Sequence, residues 1–242
     1  MIKIILCEGK TDAILISYFL GAVCNWKHVN KGPKEFNMKT DSSRTEFSSW
    51  YNFEDDYLLI CGVGGTSNFE HFYKTKIANA LVDTDIIEKI AIVTDRDDRL
   101  EEDISSDFTK ILEPLNIKVE NNRWTNNSFT DSYGNTKNLD FLLLIIPSNK
   151  EGALESVLLE AIAEDPYDKN IVDRSCSFVD EIKDIADKYI SKRRMQLKAK
   201  LGVTWAIQSP NKDFDFFDEQ IKDVDWNNSQ VIKECFGELI KI

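Results

Sequence analysis

Glu8, Asp95 and Asp97 are the acids of this sequence whose positions could do chemistry. Glu8 follows directly on the apolar run Ile2-Lys3-Ile4-Ile5-Leu6-Cys7, and Asp95 and Asp97 close the run Ile90-Ala91-Ile92-Val93-Thr94. At a spacing of two, Asp95 and Asp97 share one side of an extended chain and make a two-carboxylate claw. Hard divalent cations take carboxylate oxygens and keep several waters. A cation would relieve the repulsion among such acids and suit the set to phosphate-bearing substrates. Alone, Asp95-Arg96-Asp97-Asp98 also suits a solvated turn, so its pairing with Glu8 carries the signal. Asp12 lies one helical turn past Glu8, where a helix dipole favours negative charge and where an N-cap is the plainer use. Glu155 follows Gly152 in the first turn of another helix, a common place for acids.

Cations stand apart from these acids in the sequence. Lys192, Arg193, Arg194, Lys198 and Lys200 lie between Ser191 and Lys200 with no acid among them. They suit either a charged helix face or a phosphate-facing patch. Gly64-Gly65-Thr66-Ser67 would let backbone amides approach an anion, or would simply form a tight turn. His28 and His71 are the only histidines, too few for a histidine metal site.

The elements that must position these residues alternate between strand-length apolar runs and stretches of helical period, the mark of β-α units and a mostly parallel sheet. A strand over 2–7 precedes a helix over 11–23, capped by Thr11 or Asp12. Residues 25–56 are polar and aperiodic and read as a loop excursion. A second strand over 57–63 precedes a helix over 68–82, and a third over 88–94 precedes a helix over 100–112 stopped by Pro114. Residues 117–124 and 139–146 read as strands able to pair as a hairpin, joined through Asn126-Asn127 and Tyr133-Gly134-Asn135. Beyond Gly152 the chain reads as helical over 152–163, 178–201 and 229–242, with late aromatics (Trp205, Phe214, Phe216, Phe217, Trp226) that pack helices. In an open parallel sheet, ligands gather outside the carboxyl ends of the strands, where the three acids emerge.

Three phosphate-handling patterns fail on the letters. Gly9-Lys10-Thr11 ends like a P-loop, but that motif needs glycine at position 4, where Ile4 stands. An Asp-x-Asp of the haloacid-dehalogenase type belongs on the first strand, with Thr or Val where this chain has Arg99. A response-regulator receiver wants its acidic pair after the first strand, the reverse of this distribution.

The chain has 242 residues, 42% of them hydrophobic, enough for a sizeable core in one elaborated domain. A net charge of −12 argues against coating nucleic acid by bulk electrostatics, so a polyanion must be met locally or through a metal. The longest apolar stretches are far short of a membrane span, and the amino terminus has no leader pattern, so a cytoplasmic protein without membrane partners is expected. Five scattered cysteines without a C-x-x-C pair suggest buried thiols.

Strand, Glu8-Gly9-x-x-Asp12, helix, and later strand, Asp95-x-Asp97, resembles the Toprim domain of topoisomerases, primases and OLD-family nucleases. The run Ile145-Ile146-Pro147-Ser148-Asn149 before Glu151-Gly152-Ala153-Leu154-Glu155, and the segment Tyr189-Ile190-Ser191-Lys192, bring it closest to small stand-alone OLD-nuclease-like Toprim proteins of the DUF3226 type. The resemblance implies a Toprim-like α/β fold with a four-stranded parallel core over 1–160 and a helical extension over 161–242 packed on it. It implies Mg²⁺- or Mn²⁺-dependent phosphodiester hydrolysis, with Glu8 as general acid or base and Asp95 and Asp97 holding the cation. Asp12 and Glu155 match a second metal site, and Lys192 matches the lysine that steadies the transition state. Lys10, Arg193, Arg194 and Lys198 are the expected nucleic-acid contacts, to DNA more than RNA. The chain has no segment resembling the ATPase that accompanies full-length OLD proteins, which leaves room for a partner supplying one. The alternative is a non-catalytic Toprim-like module that binds metal, nucleotide or a protein partner.

Overall fold

A computed structural model describes residues 1–36, 38–83, 86–130, 134–210, 221 and 224–242. Phe214, Phe216, Phe217 and Tyr133 lie outside the described residues. The strands are β1 (Ile2–Cys7), β2 (Lys27–Val29), β3 (Phe47–Phe53), β4 (Asp56–Gly62), β5 (Ile87–Asp95), β6 (Thr125–Thr130) and β7 (Thr136–Ile146). They form one seven-stranded sheet in the order β2-β3-β4-β1-β5-β7-β6. The centre, β4-β1-β5-β7, is parallel throughout, and β3 and β6 add antiparallel strands on either side. This is a mixed α/β sheet flanked by helices, with further helices at the carboxyl end. No helix among the described residues is long and apolar enough to cross a membrane.

Central parallel strands are covered on both faces and therefore read as continuous apolar runs. In β1 every residue except Lys3 is buried, and its side chains alternate between two cores. One core packs Ile5 and Cys7, with Val93 and Leu144, against α1 (Lys10–Cys24), α5 (Leu154–Ile162), α6 (Pro166–Ile182), α8 (Arg193–Gln208) and α9 (Gln230–Phe236). The other packs Ile4, Leu6, Ile92 and Leu143 against α2 (Phe69–Phe72), a π-helical turn (Tyr73–Ile77), α3 (Ala78–Asp83) and α4 (Glu101–Leu112). A short α7 (Asp187–Ile190) lies between α6 and α8.

Several expectations need correction. Residues 25–56 contain two strands, and β3 pairs along its whole length with β4. Its sequence, Phe-Ser-Ser-Trp-Tyr-Asn-Phe, is mostly half-exposed, as suits a strand near the sheet margin, and lacks the long apolar run that marks a central one. The hairpin exists, but its first strand is the polar β6 rather than 117–124. The earlier segment makes only isolated bridges, Glu120 to Arg123 and Asn121 to Leu143. Asn127 of β6 is buried and holds that segment in place of strand pairing. Its Oδ1 accepts from the Lys118 N–H at 2.7 Å, and its amide donates to the Lys118 carbonyl at 3.0 Å. The helix expected over 178–201 is three pieces, because only Ile190 is buried between 183 and 192 and a continuous helix there would have no apolar face to pack. Gly9, not Thr11 or Asp12, caps α1.

Candidate metal centre

Strand β1 lies between β4 and β5. The chain leaving β1 returns at β4 on one side, and the chain leaving β5 returns at β7 on the other. The carboxyl ends of β1 and β5 therefore flank the topological switch point, where a crevice opens. Glu8 leaves the first of these strands and Asp95 ends the second. Glu8 is only 2% exposed and Asp95 8%. A buried carboxylate needs donors, and both have them. Glu8 Oε1 accepts from the Thr94 hydroxyl at 3.0 Å and from the Asp95 N–H at 3.1 Å. Asp95 Oδ1 accepts from the Leu154 N–H at 3.0 Å, at the amino end of α5.

The flanking loops are fastened around this pair. The Gly65 N–H donates to the Glu8 carbonyl at 2.7 Å, so one amide of the glycine turn after β4 serves the chain itself. Gly62 packs against Gly9 so tightly that a Cβ there would stand 2.6 Å from the Gly9 carbonyl carbon. Asp97 has φ +52 and exchanges two backbone hydrogen bonds with Gly152, at 2.7 and 2.9 Å. That reciprocal bridge ties the loop after β5 to the loop after β7, just ahead of α5 and Glu155. Asp12, in the first turn of α1, accepts from the Gly9 N–H at 2.7 Å.

Five carboxylates thus gather from separate elements, and their electrostatics record it. Burial pushes Asp95 well above the usual carboxylate range, and the charges of Glu8, Asp12 and Glu155 push it further. Burial also raises Asp12 to about 6, against the pull of the Gly9 amide. Asp97 is raised by burial first and by Glu8 next. The cleft between Glu8, Asp12, Thr94 and Asp95 holds only about 10 Å³ and has apolar walls at Ile16, Val93, Ile146, Leu154 and Phe236. That is room for one water-sized occupant.

The counter-charge comes from α8. Arg194 Nη1 lies 3.4 Å from Glu8 Oε2, and its Nη2 lies 3.9 Å from Asp95 Oδ2. Burial works against the guanidinium's charge, but Glu8, Asp95, Glu155 and Asp97 outweigh it and hold Arg194 above its ordinary value. One turn on, Lys198 pairs with Glu155. Arg193 pairs with Glu151, and Lys200 with Asp180 at 2.9 Å. Lys192 is exposed at the N-cap position of α8, and Lys10 is exposed with its ammonium 5.9 Å from the Phe47 ring centroid. Among the described residues no three histidine, cysteine, aspartate or glutamate side chains form a ready-made metal cage. The donors still fit a hard divalent cation, because they are all carboxylates, they are crowded, and three of them, Glu8, Asp95 and Glu155, are almost fully buried.

The structure brings Glu8, Asp12, Asp95, Asp97 and Glu155 into one electrostatic neighbourhood and leaves Lys192 and Lys10 at the surface. Two participants escaped the sequence reading. Thr94, a hydroxyl directly ahead of Asp95 in an otherwise apolar run, was legible as a polar intrusion into a buried strand. The Leu154 amide had no signal in its side chain. Arg194 was visible as a cation, but not as the partner of Glu8.

A family model described as "Protein of unknown function (DUF3226)" matches residues 2–240. The crystal structure of hypothetical protein PH0156 from Pyrococcus horikoshii OT3 superposes with a TM-score of 0.53 at 15% identity, covering 99% of this chain and 98% of that one. At that identity the likeness speaks for the fold. No curated protein matches the chain.

Proposed function

Because the chain belongs to the DUF3226 family, whose description assigns no activity, we propose a function from the chemistry of the centre itself: a Mg²⁺- or Mn²⁺-dependent phosphodiesterase of the Toprim, OLD-like kind, acting on nucleic acid, DNA before RNA, in the cytoplasm. One observation carries the reading. Glu8 and Asp95 are 87 residues apart in sequence and lie side by side at the switch point, joined by the 3.1 Å hydrogen bond from the Asp95 amide.

In this reading Glu8, Asp95 and Asp97 would hold one divalent cation, and Asp12 and Glu155 would serve a second. A bound cation would neutralise phosphate charge and polarise the phosphorus–oxygen bond. The chain's own residues do the rest. Thr94 and the Asp95 amide occupy Glu8 Oε1, so Oε2 is the oxygen left to take a proton from an attacking water or return one to a leaving group. Arg194 and Lys198 reach the acids from one side of α8 and would orient a phosphate, with Lys192 as the lysine that steadies the transition state and Lys10 and Arg193 as further nucleic-acid contacts. The apolar walls exclude bulk water and strengthen every charge interaction inside. A partner supplying an ATPase remains part of the reading.

The second reading, a non-catalytic module binding metal, nucleotide or a protein, draws support from Arg194, which already answers the charge of Glu8 and Asp95. Purified protein incubated with Mn²⁺ and plasmid or single-stranded DNA separates the two. Cleavage by the natural chain that Asp95→Ala abolishes supports the nuclease. Equal cleavage by both proteins means a contaminant, and cleavage by neither favours the binding module.

A further inference from the structure

The cationic stripe of α8 stands where the acids need a counter-ion, on a first turn with no side-chain cap. Arg194 and Lys198 are four residues apart and project from one helix face, Arg194 to Glu8 and Asp95, Lys198 to Glu155. Helix α8 begins with Arg193 and Arg194 after Lys192, has no acid in its first turn and has no side-chain cap. Cations at a helix amino end oppose the helix dipole, so this turn depends on the acids it faces. The far half is anchored independently by buried Leu201, Thr204 and Trp205. The Arg194 and Lys198 side chains are 38% and 42% exposed, so both can swing outward without leaving a core.

We propose that Arg194 and Lys198 are resident counter-ions of the acid cluster, which an entering divalent cation displaces, and that the displaced pair then seats a phosphate, so that cation and phosphate load as one coupled event. The proposal rests on the divalent-cation reading above and adds a thermodynamic consequence to it. The carboxylates and a phosphate compete for the same two side chains. A phosphate that draws Arg194 and Lys198 away leaves the acids uncompensated and strengthens their hold on the divalent cation, and linkage makes the effect reciprocal. Without a phosphate the centre stays self-neutralised and holds the cation weakly.

Mn²⁺ binding to the full chain, followed by calorimetry and by the electron paramagnetic resonance of free Mn²⁺, tests this without any turnover. Arg194→Gln and Lys198→Gln are each expected to bind Mn²⁺ roughly tenfold tighter than the natural chain. Sulfate, as a stand-in for phosphate, is expected to tighten Mn²⁺ binding to the natural chain and to leave the double variant unchanged. Equal or weaker Mn²⁺ binding by variants with an intact thermal transition overturns the proposal while leaving the metal centre standing. If the variants do not fold, the sulfate arm decides on the natural chain alone, and no effect of sulfate overturns the coupling. Absence of Mn²⁺ binding by the natural chain, with and without sulfate, removes the metal centre and the coupling together.

Discussion

Glu8 uses its two oxygens differently, and that division fixes what a substitution there does. Oε1 is committed to Thr94 and the Asp95 amide, while Oε2 faces Arg194. Glu8→Gln keeps the shape of the side chain but removes the proton acceptor. It is expected to lower Mn²⁺-dependent cleavage by about 10²–10⁴-fold, measured as initial rate at saturating Mn²⁺, with the far-ultraviolet circular dichroism unchanged. Glu8 and Asp95 are legible in the sequence because each stands at the sharp end of a buried apolar run, so their place at the carboxyl ends of two central strands follows from the letters. The cation opposite them is not. Lys192, which the resemblance assigns to the transition state, stands exposed at the N-cap position of α8, and Arg194, half a turn further, reaches the acids. That offset depends on where the helix begins, which is set by the burial of Ile190 and the exposure of its neighbours. Tertiary packing decides this, and no local letter announces it.

At the level of elements, the central strands and their helices were readable, and the errors fall at the margins of the sheet. Strand β3 and strand β6 carry serine, asparagine and threonine, because a marginal strand need not bury both faces. Asn127 shows the physical reason most clearly, since a buried amide that bonds the backbone of a neighbouring segment looks like a loop residue in sequence. The joint between loops is equally specific. Gly152 has φ +152, and a Cβ there would stand 2.3 Å from Ser156 Oγ, the hydroxyl that accepts from the Ala153 N–H at 3.0 Å. Gly152→Ala is therefore expected to cost about 1–3 kcal/mol, measured as a lower urea midpoint with an unchanged slope. It should also weaken Mn²⁺ binding, because Asp97 is tied to this residue through both backbone hydrogen bonds.

For the whole molecule, the crowded acids make stability depend on pH in an unusual direction. Asp12 is pushed up to about 6 in the fold, and Asp95 is raised as well, against about 3.9 in an unfolded chain. Between those limits the folded protein holds more protons than the unfolded one, so stability falls as pH rises through the window from about 4 to about 6 and stays lower above it. Metal-free protein is expected to show a thermal midpoint that drops over this range, and Asp12→Asn should flatten the slope. The sheet topology carries a separate consequence for biosynthesis. Ile2 of β1 pairs with Tyr57 and with Ile87, so the most apolar strand of the sheet precedes both its neighbours in the chain. At about 5–20 residues per second on the ribosome, the gap between Ile2 and Ile87 lasts roughly 4–17 s. During that time a sticky hexapeptide waits in the nascent chain with its β5 flank open, and until Tyr57 is made with its β4 flank open as well, which makes Ile2–Cys7 the segment a chaperone would grip first.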